Sequence, residues 1–212
     1  ASSRWHLEAP VDRVHVGVSS ARLPPSLAIS SLRSQGDGFV AALKAILACP
    51  KPVVAMVDGA AVGFGADMAL ACDLRVVSTR SYIQEKFVNI GLMPDGGGTF
   101  WLPRLVGTAR AMQWIMLGDK IDGPELAQHG IAIRAVEAAG LRDATLEVTK
   151  RLDSGPPLAY AAIKRALYAS WGSVVDALAR EREEQLKLLH SADVMEGVLS
   201  WMQKREPTFQ GR

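Results

Sequence analysis

Two carboxylates stand beside glycine-rich turns, and at those places this chain could move a proton. Asp67 closely follows Gly63-Phe64-Gly65, and Asp95 directly precedes Gly96-Gly97-Gly98. A carboxylate held near a bound molecule can take a proton from it and return it. Glycine lets the backbone approach a ligand closely, and a helix N-terminus after such a turn adds a potential that favours negative charge. The same spacings also have plainer explanations. Gly63 and Gly65 could do no more than make a tight strand-to-helix turn. Asp67, early in a helix, could serve the helix dipole alone. Asp95, just before a helix, could be its N-cap, with Thr99 downstream. Residue types by themselves leave these alternatives open.

Other reactive side chains point elsewhere. His129 falls at a helix end, where histidine is favourable, and His190 reads as solvent-facing. His6 and His15 lie in the first 35 residues, whose pattern is hard to read. Trp101 and Trp114 read as core packing. Cys49 ends one apolar segment and Cys72 lies within another. With no CxxC pair, both are expected to be buried free thiols rather than disulfide partners or metal ligands.

The elements that must carry these residues follow from periodicity. Val14, Val16 and Val18 alternate with His15 and Gly17 as in a short strand, and Leu23-Pro24-Pro25 breaks any regular element. Phe39, Leu43, Ile46 and Leu47 share a helical face that Pro50 terminates. Val53–Val57 reads as a buried strand ended by Asp58-Gly59. The glycine turn, a helix over Ala66–Cys72 and a strand over Leu74–Val77 come next. Strand, glycine turn, helix and strand within so short a stretch make one turn of an α/β spiral or sheet. Beyond Gly91 the chain becomes helical. Thr108 can cap a helix stopped by Gly118, and Asp122 caps one ended by Gly130. Further helices are expected over Leu141–Leu152, Pro157–Trp171, Ser173–His190 and Ala192–Lys204, with Ser173 and Ser191 at N-cap positions. The boundary between an α/β core (1–118) and a helical module (119–212) is placed near Gly118.

Composition fits a globular chain: 49% hydrophobic, 22% charged, net charge +2 over 212 residues, enough to bury a sizeable core. Lys and Arg are dispersed, which speaks against nucleic-acid binding. No apolar run approaches the ~20 residues of a membrane span. The first residues do not form a signal peptide, so a cytoplasmic location is expected.

Three stretches resemble the crotonase (enoyl-CoA hydratase/isomerase) family: Val57-Asp58-Gly59 through Ala71-Cys72-Asp73; Gly91-Leu92-Met93-Pro94-Asp95-Gly96-Gly97-Gly98-Thr99 with Leu102-Pro103-Arg104-Leu105-Val106-Gly107; and the tail Lys204–Gly211. Within the family, Lys86–Asp95 is similar to the branch that isomerises 1,2-epoxyphenylacetyl-CoA and shifts enoyl double bonds. The resemblance implies a ββα spiral core followed by a C-terminal helical trimerisation module. It also implies an acyl-CoA thioester as substrate, with no metal or further cofactor, and a homotrimer or hexamer.

The same resemblance implies roles for individual residues. The thioester oxygen would be held by two backbone N–H groups, one of them Phe64, with Gly63 and Gly65 clearing the approach. Such donors commonly supply a few kcal/mol each as the enolate forms. Asp67 occupies one of the two carboxylate positions of a hydratase, in shortened form. Phe87 occupies the other and can move no proton. Asp95 sits where single-base isomerases of the family carry Asp or Glu, and Phe87 with Met93 would line an apolar pocket that raises its pKa. An isomerase with Asp95 as base is therefore the first expectation. Hydration assisted by Asp67, decarboxylation, and a non-catalytic acyl-CoA-binding subunit are the alternatives. The family turn that supplies the second oxyanion N–H has no counterpart between Val18 and Phe39. Either the chain is truncated there and its oxyanion hole incomplete, or a stretch is missing from the sequence; the second is expected, and would show as a Cα–Cα step well beyond ~3.8 Å within residues 17–39.

Overall fold

The computed structural model describes residues 15–19 and 40–212, apart from 170–173. Two sheets are present among the described residues. The first is wholly parallel, in the order β1 (His15–Ser19), β2 (Val54–Asp58), β4 (Leu74–Ser78), β7 (Arg134–Val136). The second is ordered β3 (Ala60–Val62), β5 (Tyr82–Gln84), β6 (Ile121–Asp122), with β3 parallel to β5 and β6 antiparallel to it.

From β2 to β5 consecutive strands alternate between the sheets, which produces the spiral. Gly59, at φ +89°, bends the chain from β2 into β3. A side-chain-bearing residue would strain that backbone. The next bend, between β4 and β5, carries Ser78 and Arg80, which both donate to Asp58 at the first bend. Hydrogen bonds from Tyr82 N–H to Gly59 O and from Gly123 N–H to Ser81 O stack one turn of the spiral on the next.

Helix α1 (residues 40–48) and helix α2 (Phe64–Ala71) bring Leu43, Ile46, Ala66 and Leu70 to the core around Val57, Val77 and Ile83. Arg75 is buried, and its guanidinium donates to the carbonyls of Ala69, Leu70 and Cys72, three acceptors that the end of α2 leaves over. Cys72 is buried and Cys49 half-buried, and both are free thiols.

Two helices, α3 (Gly98–Val106) and α4 (Thr108–Leu117), follow, meeting at Gly107. Gly107 itself, at φ +79°, is the N-cap of α4, so Thr108 is its first residue rather than its cap. Asp122 caps α5 (Gly123–Gln128) by accepting from Glu125 N–H at 2.9 Å, and His129 closes that helix.

Among the described residues, the chain forms two compact units. One holds Val53–Thr145 with the described residues before Pro50; the other holds Pro50–Pro52 and Leu146–Arg212. The boundary expected at Gly118 is thus displaced, because β6 and β7 return the chain to both sheets after α4.

Helices α6 (Leu141–Asp153), α7 (Pro157–Ala169), α8 (Val174–Leu188) and α9 (Ala192–Gln203) complete the chain. Ser191 caps α9 as expected, whereas Ser173 lies outside the described residues. The tail folds back on α9. Gln210 and Gly211 N–H donate to the Asp193 carboxylate at 2.7 and 2.9 Å, and Glu196 takes Thr208 N–H and the Arg205 guanidinium.

Candidate functional site

The glycine turn before α2 is anchored by its neighbour strand. Gly63 N–H donates to Gln84 O at 2.9 Å, which carries the β3–β5 pairing one residue beyond β3 and sets Phe64 beside the end of β5. Gly63 is the N-cap of α2 with φ +56°, and Phe64 is the first helical residue. The first N–H groups of a helix project from its N-terminal end, the geometry suited to a developing anion. The Phe87 ring lies 3.5 Å from where a Gly63 Cβ would stand. Any side chain at position 63 would therefore meet that ring as well as a strained backbone.

Asp67 is fully enclosed, at 0% exposure, in the first turn of α2. Its Oδ2 accepts the Gly96 N–H at 3.1 Å. Burial raises its pKa, and the backbone N–H groups of Gly98 and Gly96 oppose that rise. The packing is close enough that a Cβ on Gly96 would come 2.6 Å from Asp67 Cβ. The glycine run after Asp95 is therefore the clearance that lets α3 begin on top of the carboxylate.

Glu85 is the functional candidate that sequence reasoning missed. It is 1% exposed and faces the same place: a Cβ on Gly98 would stand 2.4 Å from Glu85 Oε1 and 3.0 Å from Asp67 Oδ1. Neither Glu85 oxygen nor Asp67 Oδ1 has a hydrogen-bond partner among the described residues. Burial pushes the Glu85 pKa well up, and the Asp67 charge adds to that. A sequence signal existed. Along Tyr82-Ile83-Gln84-Glu85 the burial alternates, so strand periodicity puts Glu85 on the inward face with Ile83.

Asp95 is placed differently. It is exposed, and its charge is near enough to Asp67 and Glu85 to oppose the ionisation of both. It does not cap α3: the N-cap is Gly97, at φ +104°, and no side chain bonds to the helix start. Met93 is 67% exposed and Phe87 half-buried, so the desolvation expected around Asp95 falls instead on Asp67 and Glu85.

The structure thus gathers Gly63, Phe64, Gly65, Asp67, Glu85, Phe87 and Asp95 where β3, β5, α2 and the start of α3 meet. The segment from 20 to 39, in which the second oxyanion donor and a break in the chain are expected, lies outside the described residues. Among the described residues no group of His, Cys, Asp and Glu could hold a metal ion, and no helix is long and apolar enough to cross a membrane.

Comparison with known proteins identifies the family and the fold. A family model described as enoyl-CoA hydratase/isomerase matches residues 31–212. A protein of Rhodobacter capsulatus named "Probable enoyl-CoA hydratase" is 43% identical over 171 residues, 80% of this chain and 66% of that protein. The trans-2-decenoyl-[acyl-carrier-protein] isomerase of Streptococcus mutans is 36% identical, over 77% of this chain and 62% of its own length. The 1,2-epoxyphenylacetyl-CoA isomerase of Escherichia coli is 34% identical, over 77% of this chain and 63% of its own length. The chain therefore spans slightly less than two thirds of each of these relatives. Among solved structures, an enoyl-CoA hydratase from Polaromonas sp. JS666 superposes with a TM-score of 0.81 at 31% identity, covering 86% of this chain and 72% of that one.

Proposed function

The chain belongs to the enoyl-CoA hydratase/isomerase family, and on that premise we propose that it is an enoyl-CoA isomerase with Asp95 as its single base. An acyl-CoA thioester would lie across the turn before α2, its carbonyl oxygen held by the Phe64 N–H. Asp95 takes a proton from C2 of a 3-enoyl thioester, and the electron pair moves onto the carbonyl oxygen as a dienolate. The same carboxyl then returns the proton to C4, leaving the conjugated 2-enoyl thioester. A positioned base of this kind is worth about 10²–10⁴-fold, and each preorganised N–H a few kcal/mol.

The observation that carries this reading is the Phe87 ring packed against Gly63. The family resemblance implies a glutamate at that position in a hydratase, and a phenyl ring can neither accept nor deliver a proton. Incubation with a 3-enoyl-CoA should give the conjugated 2-enoyl product, followed by its ultraviolet absorbance. Conversion of 2-enoyl-CoA to 3-hydroxyacyl-CoA, with no double-bond shift, would overturn the isomerase assignment.

A second reading, hydration, is favoured by one feature. Glu85 and Asp67 together restore a pair of carboxyl groups, the number that addition of water by acid and base requires. Both are enclosed by the chain, whereas Asp95 is exposed, and for that reason the isomerase reading stands first.

A further inference from the structure

Glu85 has no part in the isomerisation by Asp95, yet it is buried with two unpartnered oxygens beside a third on Asp67. Buried polar atoms almost always have a partner. Two ionised carboxylates offer acceptors only and cannot satisfy one another, whereas one proton turns either of them into a donor. The oxygens in question, Glu85 Oε1 and Asp67 Oδ1, both lie within 3.0 Å of a single point above Gly98.

We propose that Asp67 and Glu85 share one proton, Glu85 donating it to Asp67 Oδ1, and that Glu85 is thereby a positioning residue for Asp95. The direction follows from the surroundings. Asp67 faces the Gly96 and Gly98 N–H groups and the start of α3, which favour its anion. The charged groups that face Glu85 are Asp67 on α2 and Asp95 on the loop entering α3; both are acidic and both favour its neutral form. The mechanical link is short. The Glu85 proton fixes one oxygen of Asp67, and the other oxygen holds the N–H of Gly96, the residue directly after Asp95. Without the proton, two adjacent anions would repel each other in a desolvated space and release that grip.

The positioning role rests on Asp95 being the base; the shared proton does not. The full chain, Glu85→Gln and Glu85→Ala are therefore compared in two ways. First, melting temperature is followed against pH. A carboxyl that keeps its proton in the fold but loses it on unfolding makes the folded state bind more protons. Its stabilisation is complete below the ordinary carboxylate pKa and is lost as pH rises through the raised, folded value. The wild type should show that alkaline decline, and Glu85→Gln, whose amide donates without titrating, should show a flatter curve. An equal decline in Glu85→Gln overturns the shared proton.

Second, turnover of a 3-enoyl-CoA is measured. Glu85→Ala should lower kcat by about 10- to 100-fold with little change in KM, the loss of one hydrogen bond to a charged acceptor. Glu85→Gln should recover most of that loss. Wild-type kcat in Glu85→Ala overturns the positioning role. If no protein in the series moves the double bond, the isomerase assignment falls and takes the positioning role with it, while the melting curves still decide the shared proton.

Discussion

The Gly96 N–H donates to Asp67 Oδ2 at 3.1 Å, so a carboxylate on α2 holds the backbone next to an exposed carboxylate 28 positions further along the chain. One acid is fully enclosed by the fold, and the other is exposed to solvent.

That difference in burial makes Asp95→Asn an informative change. Asp95 neither caps α3 nor is buried, so the substitution should alter stability by less than about 0.5 kcal/mol. Turnover of a 3-enoyl-CoA should fall by about 10²–10⁴-fold, the usual loss of a general base. Acyl-CoA binding, resting on backbone N–H groups, should persist. Wild-type turnover in Asp95→Asn, measured beside its melting temperature, would exclude Asp95 as the base.

Gly98→Ala tests the enclosure of the acid pair. The added Cβ would meet Glu85 Oε1 at 2.4 Å and Glu85 Cδ at 2.8 Å, so one of the packed elements must shift. Overpacking of this kind costs about 1–3 kcal/mol, read as a lower urea midpoint at unchanged slope. In a Glu85→Ala background the two closest contacts are gone and Asp67 Oδ1 remains at 3.0 Å, so the two changes should be non-additive by about 0.5–3 kcal/mol. Simple additivity would show that Gly98 and Glu85 are not in contact.

The tail offers an acid-side test. Arg205 and the Thr208 N–H hold the Glu196 carboxyl down from its ordinary 4.5 to about 2. A depressed carboxyl contributes stability above its unfolded pKa, and that contribution is lost as pH falls through the folded value. Glu196→Gln should therefore melt below the wild type near neutrality, and the gap should close as pH falls from about 4.5 toward 2. A gap independent of pH would assign the effect to shape rather than charge. The pair is solvent-exposed, so the gap should be small.

Assembly is the fourth prediction. On α9, Met195, Val198 and Met202 follow one another at helical spacing and are exposed, and Trp201 is 81% exposed beside them. Apolar faces of this kind mark contact surfaces. A homotrimer or a hexamer is expected, and light scattering at micromolar concentration should return the mass of three or six chains. A monomeric mass would end this expectation.

Much of this protein is legible in its sequence. Alternating valines give β1, an apolar repeat gives α4, the caps Asp122 and Ser191 mark α5 and α9, and glycines with positive φ stop or turn elements at 59, 63, 118 and 130. The motifs around the two glycine runs point to the family before any coordinate is known. These features are local, because periodicity, capping and glycine geometry act within a few residues.

Only the tertiary structure decided which acid is buried and which is exposed. The two-residue β6 and three-residue β7 have too few residues to show a period, so the return of the chain to its sheets after Gly118 could not be read. A capping role for Asp95 stays open in the sequence until Gly97 is seen to occupy that position. Strand periodicity turns Glu85 inward, but its enclosure is complete only where α3 closes over it. Its environment is built by Asp67 from α2 and Gly98 from α3, groups brought together only when the spiral stacks one turn on the next. A carboxyl's pKa depends on that local desolvation and charge, and neither is set by its neighbours in sequence.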